Sequence, residues 1–467
     1  MQATSTIPRF AALGPLGHLG EFRSSRIDFL LRVARAQPDL SRVRLGVFDV
    51  VLLSSPELAH SLLVEQADRV RKSFGLAVFA APLLGDGLLR LEAHSHKRRR
   101  RMLAPAFMPK RISAYAGEMV QRARVSTQRM LDQGELDVAE EAMRVTLEIV
   151  GKTLFDAEVG ADAEHVGDAL SDAMSCMMSS LTSVVPLPPS IPSPTNLRLH
   201  RAVRRLDQVV YRMIRERRAT DNAHGDLLSI LIAARDEDDG SALNDRDVRD
   251  EAMTLFLAGH ETTANTLAWT LYLLGKNPDA RERLEREVDA FGGQPLTAAD
   301  LPRLPFCLQV IKEAMRLLPP VYMLGRRPLA DITLGGQRVA KDTTVLINII
   351  GMHRRPDVFA DPERFDPDRW TPEREKLLPR QAFMPFGGGP RICIGNHFAW
   401  METQLVLATW LQRARFELVD AEALPQYEPL ITLRPRGGIQ MRVRARLEQP
   451  QASPYAAPNP CPSAPNK

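Results

Sequence analysis

The sequence predicts a mainly α-helical protein with a small β-rich region. An apolar run from about Val248 to Leu274 is many times longer than a strand needs and has helical length. Near the C-terminal end, Phe398, Met401, Leu405 and Ala408 recur at three- and four-residue spacing and form one apolar helical face. β character is confined to brief alternating stretches near residues 42–53, 332–349 and beyond Leu430.

Taken in order, Arg26 to Ala36 reads as a helix, and Arg42 to Gly46 and Val50 to Leu53 as two strands joined by a turn. Helices dominate afterwards. The Met-rich segment from about Glu164 to Leu181 is predicted helical, PLPPSIPSPTN is a proline-rich connector, and Leu197 to Arg218 is a basic amphipathic helix. The Val248–Leu274 run has Asn244 and Asp245 as capping residues and stops at Gly275-Lys-Asn-Pro278, giving a helix of roughly seven to eight turns. Short strands are expected at Ile332–Leu334, Gln337–Val339, Val345–Ile349 and again after Leu430.

The chain has 467 residues and a formal net charge of only +4, too mild a balance to indicate nucleic acid as a partner. Cys176, Cys307, Cys393 and Cys461 have neither paired metal spacing nor the density of a disulfide scaffold, so a reducing cytoplasm is expected. The opening residues lack both a signal-peptide layout and the ~20 apolar residues of a spanning helix. No membrane span is therefore predicted. Residues 1–12 are expected to be flexible, 13–445 to form a single catalytic domain, and the Pro-rich stretch 446–467 to be a disordered tail.

The stretch Phe386-Gly-Gly-Gly-Pro-Arg391-Ile-Cys393-Ile-Gly395 directly precedes the helix beginning near Asn396. A single cysteine is more often a small buried hydrophobe than a ligand. Here, though, the free amides of Ile394, Gly395 and Asn396 at a helix N-terminus would face the sulfur, and the helix dipole would lower its pKa. Glycines at 387–389 and 395 would let a flat macrocycle approach the backbone. This stretch resembles the haem-binding signature of the cytochromes P-450, the haem-thiolate monooxygenases, without a gap. The resemblance implies haem b, with Cys393 as the iron ligand and Phe386, Arg391 and Gly395 around it; thiolate donation is the lever for O–O cleavage in that family.

Other motifs agree in order. Ala258-Gly259-His260-Glu261-Thr262-Thr263, within the long apolar run, resembles the family's oxygen-activation motif. A threonine hydroxyl can bond back to the carbonyl four residues earlier, here from Thr262 to Ala258, and loosen the turn so that dioxygen and water fit, with Glu261 feeding protons. Glu313 and Arg316 share one helix face, ordinarily an ion pair of little worth. The resemblance instead implies that they join Arg364, in Pro362-Glu-Arg364-Phe365, as a buried structural triad. In His96-Lys-Arg-Arg-Arg100 the family's usual Trp-x-x-x-Arg becomes His96 and Arg100, still four apart and able to hold a haem propionate. Arg391 and either Arg326 or Arg327 would complete that site.

The family resemblance implies an enzyme that activates O2 with electrons from a separate ferredoxin or flavodoxin and an NAD(P)H reductase, and hydroxylates or epoxidises an organic molecule. Arg98, Arg99 and Arg101 are candidate docking charges for that donor. Phe74, Leu76, Val78, Phe79, Leu83 and Leu84, with Val321, Met323, Leu324, Leu430 and Ile431, are expected to wall an apolar pocket for a fatty acid, terpenoid or polyketide. The alternatives are a peroxide-driven peroxygenase or isomerase and a non-enzymatic haem sensor; neither has a use for Glu261-Thr262.

Overall fold

Asn244 starts the longest helix, Asp245–Lys276, through a capping box with Asp247, as its position in the sequence predicts. The computed structural model describes residues 6–12, 14–156, 163–219 and 226–446. This central helix packs against Val138–Phe155, Pro194–Ala219, Pro305–Leu317 and Asn396–Arg413, and the largest apolar core lies among these helices. Such a helix must be apolar all round, which is why its sequence shows a run in place of a stripe.

The β-rich region is a five-stranded sheet in the order Leu40–Leu45, Phe48–Leu53, Thr344–Ile347, Leu324–Pro328, Val70–Lys72, with a second apolar core on it. Phe48–Leu53 and Thr344–Ile347 pair in parallel, Val51 opposite Val345; the other pairings are antiparallel. A second sheet joins Glu135–Asp137, Gln440–Ala445 and Ala414–Leu418.

The helix Arg26–Ala36 and the strands Ile332–Leu334 and Gln337–Val339 match their predicted bounds. Two strands were missed. Val70–Lys72 has three residues, and Leu324–Pro328 carries a glycine, two arginines and a proline, so neither has apolar alternation. Residues 1–5 and 447–467, with Cys461, lie outside the described residues. Within the stretch expected to be flexible, the Phe10 amide donates to the Arg42 carbonyl (3.0 Å) and the Arg42 amide to that of Pro8 (2.8 Å), and Ile7 is buried. Among the described residues, no helix is long and apolar enough to cross a membrane.

Candidate functional site

The loop that ends at Cys393 is held by its own backbone. The Cys393 amide donates to the Phe386 carbonyl at 3.0 Å, and the Phe386 ring meets Trp400 edge-on at 5.1 Å on the following helix, Asn396–Arg413. Gly389 has φ +65°, and a Cβ there would lie 2.0 Å from the Leu63 carbonyl oxygen. This glycine is required for packing against the Ser61–Glu65 turn, so the macrocycle expectation does not explain it.

Burial pushes the Cys393 thiol above its ordinary range, more than the Gly395 amide and the Arg100 charge pull it down. The expected lowering by the helix end is thus outweighed, and of the three amides proposed only that of Gly395 acts on the sulfur. The residue nonetheless presents accessible surface. Both facts hold for a sulfur deep in the molecule that borders an internal opening.

On the central helix, every residue from Val248 to Leu274 is buried except Ala258, Gly259 and Thr262. Positions i, i+1 and i+4 lie on one face, so these three form a single uncovered window. The Thr262 hydroxyl donates to the Ala258 carbonyl at 2.7 Å, as predicted. Glu261 is 1% exposed, and its carboxylate accepts from Arg434 Nε at 2.5 Å and from the Thr432 hydroxyl. Arg434 also donates to Ser171, on the helix Ala163–Leu181, at 3.0 Å. Arg434 and Thr432 were missed, since no local spacing relates them to a glutamate more than 170 residues earlier.

A cluster of cations forms the other edge. Lys72 is held down to about 7, by burial and then by the charge of Arg391; His96 falls to about 3 for the same reasons, with Lys72, Arg100 and Arg326 adding to the effect. Arg326 is lowered to about 10 by burial and then Arg391. Glu92, paired with Arg391, is the anion among them. Arg326 faces this cluster, whereas Arg327 turns away to the Asp342 carboxylate at 3.2 Å. A cavity of about 360 Å³ adjoins it, lined in part by Lys72, Phe74, Arg90 and Glu92. Lys72 carried no motif; its short strand brings it here.

Two expectations are corrected. Glu313 and Arg316 are fully buried and joined by two 2.8 Å bonds, but the third side chain is Arg369, whose Nε lies 3.3 Å from Glu313; Trp370 Nε1 adds a 3.0 Å bond. Arg364 is exposed and supplies its backbone carbonyl to Arg316 at 3.1 Å. Pro367-Asp-Arg369-Trp370 repeats the pattern of Pro362-Glu-Arg364-Phe365 five residues later, and that second copy was the available signal. The proposed docking charges are occupied: Arg98 binds Asp236 at 2.7 Å, Arg101 binds Asp238 at 2.6 Å, and Arg99 binds Asp247 at 2.9 Å and Glu251 at 3.0 Å. Of the expected pocket walls, Phe79, Leu83 and Leu84 are covered core, while Leu76, Val78, Val321, Met323, Leu324, Leu430 and Ile431 remain partly open.

A helical fold built around one deep, accessible cysteine, with a neighbouring uncovered helix window and an excess of buried cations, defines a haem-thiolate enzyme. Residues 8–443 match the cytochrome P450 family, and the chain belongs to that family. It is 36% identical over 403 residues to cyclooctatin synthase of Streptomyces melanosporofaciens, covering 85% of this chain and 87% of that one. Cyclooctat-9-en-7-ol 5-monooxygenase of the same organism is 36% identical over 426 residues (90% and 91% covered), and pentalenene oxygenase of Streptomyces avermitilis 33% over 420 (89% and 92%). The haem domain of cytochrome P450DA superposes with a TM-score of 0.86 at 26% identity, covering 96% of this chain and 99% of that one. The protein is therefore a monooxygenase that uses haem b, O2, an organic substrate and a redox partner. The residues present fit the cofactor: buried cations with a single anion among them require anionic groups such as two propionates, and the accessible thiol is a soft iron ligand.

Proposed function

We propose that this protein hydroxylates or epoxidises a cyclic terpenoid, with electrons delivered by a separate ferredoxin or flavodoxin. The observation that carries the oxygenase site is the window of Ala258, Gly259 and Thr262 in an otherwise buried helix. The terpenoid reading is supported by the names of the three Streptomyces relatives and by the partly open apolar residues Met323, Leu324, Leu430 and Ile431.

In this reading haem b supplies oxygen activation and the protein supplies the rest. Cys393 donates the thiolate, steadied by the Gly395 amide, with Phe386 bracing the loop. His96, Arg100, Arg326 and Arg391, joined by Lys72, hold the propionates; His96 does so as a neutral donor, since its neighbours keep it unprotonated. Thr262, bonded to the Ala258 carbonyl, holds the oxygen groove, and Glu261 passes protons toward it once its bonds to Arg434 and Thr432 rearrange. The acid-alcohol pair favours a monooxygenase over a peroxide-driven enzyme.

Cyclic terpenes and their alcohols should produce the low- to high-spin absorbance shift that follows substrate binding. A shift with small charged metabolites alone would overturn the terpenoid reading. Thr262→Ala should still consume NAD(P)H but release peroxide, with product per NAD(P)H falling several-fold. Unchanged coupling would make the motif structural and favour the peroxide-driven alternative.

A further inference from the structure

Two glutamates on neighbouring helices are wholly buried, and the protein treats them oppositely. Glu313 has Arg316, Arg369 and Trp370 around its carboxylate. Glu402, nine residues after Cys393 on the helix Asn396–Arg413, is 0% exposed, and neither of its carboxyl oxygens has a well-formed hydrogen bond. Two influences act on it: burial, which pushes it well above the ordinary carboxylate range, and the Thr263 hydroxyl, which opposes this weakly. The charges of Glu261 on the central helix and of Glu313 and Arg316 on Pro305–Leu317 do not contribute.

Such a group is a neutral acid at neutral pH, because an unpaired buried charge is far more costly than a proton. Keeping it so lowers stability. The unfolded chain loses this proton above about pH 4.5 and the folded one does not, so each further pH unit weakens the folding equilibrium by up to tenfold until the folded pKa is reached. An amide or a leucine would fill the space without that loss. Thr263, the group the acid addresses, directly follows Thr262 on the central helix, which packs on the helix of Glu402.

We propose that Glu402 is a positioning residue for oxygen activation: a protonated carboxyl that bonds the Thr263 hydroxyl and holds the Ala258–Thr262 turn in register with the helix that follows Cys393. This rests on the reading of that turn as the oxygen groove. A neutral acid suits the task because it both donates and accepts without bringing a charge into the core.

The test compares Glu402→Gln and Glu402→Leu in the haem-loaded protein, with Thr262→Ala as a control. The amide keeps donor and acceptor, so Glu402→Gln should retain the coupling of NAD(P)H to product. Its melting temperature should exceed that of the wild type at pH 8, with the difference shrinking toward pH 5. Glu402→Leu should melt no lower than the wild type at pH 8, yet lose coupling several-fold and release peroxide. A simple packing role would move stability and coupling together. Normal coupling in Glu402→Leu alongside an uncoupled Thr262→Ala would overturn this proposal alone; normal coupling in Thr262→Ala would overturn the groove reading on which it rests. If Glu402→Leu does not fold, the Glu402→Gln profile decides: a pH-independent difference in melting temperature would show that residue 402 is not a neutral buried acid and would sink the idea.

Discussion

Cys393→Ser should abolish turnover and remove the red-shifted Soret band of the reduced, carbon monoxide-bound protein. That band requires a charged sulfur donor. In the protein alone the thiol is held protonated by burial, with only the Gly395 amide and Arg100 acting the other way. A coordinated iron inverts this logic, since a ligating thiol is deprotonated outright. A serine hydroxyl, far less acidic and a harder donor, gives no equivalent bond. Cys176→Ser and Cys307→Ser are the controls, because both thiols are buried away from the cysteine loop, Cys307 with its sulfur 3.9 Å from the Gln404 carbonyl. They should keep the band. A Cys393→Ser protein that retained it, or a wild type that took up no haem, would overturn the assignment of the ligand.

The parts of this molecule that were legible in sequence are those where one physical cause acts locally. The central helix was visible because burial on all sides demands a long apolar run, and its start was visible because Asn244 and Asp247 satisfy each other's backbone donors. The Thr262 to Ala258 bond is likewise a four-residue relation. Partners brought together by the fold were not legible. Nothing in the neighbourhood of Thr432 or Arg434 announces Glu261, and nothing around Lys72 announces a cation cluster whose other members come from the helix Ala93–Leu103, the strand Leu324–Pro328 and the cysteine loop. The basic run Lys97–Arg101 shows the converse error. One-letter composition displays five cations in a row, but the acids that occupy three of them lie about 140 to 150 residues downstream. Charge read along a chain is not charge presented on a surface.

The largest effect on stability is expected at Arg316, and the comparison of three arginines tests the corrected triad. Arg316 is completely buried, grips Glu313 through two bonds, and donates to the carbonyls of His353 at 3.0 Å and Pro362 at 2.6 Å. Its replacement by leucine strands a buried carboxylate and several carbonyls at once, a change that costs about 3–5 kcal/mol. Arg369→Leu leaves Glu313 with Arg316 and Trp370, so about 1–3 kcal/mol should be lost, in line with removing one charged hydrogen-bond partner. Arg364 is exposed and contributes through its backbone, which leucine preserves, so Arg364→Leu should stay within about 0.5 kcal/mol of the wild type. Denaturant midpoints of the haem-loaded proteins give all three values. The same segment leads into the cysteine loop: the Met384 amide donates to His353 Nε2 at 3.1 Å, and the Arg316 bond to the His353 carbonyl holds that histidine in place. Haem retention should therefore fall in the order Arg364→Leu, Arg369→Leu, Arg316→Leu. If Arg364→Leu proved as damaging as Arg369→Leu, the triad would have to be reassigned to the earlier of the two arginines.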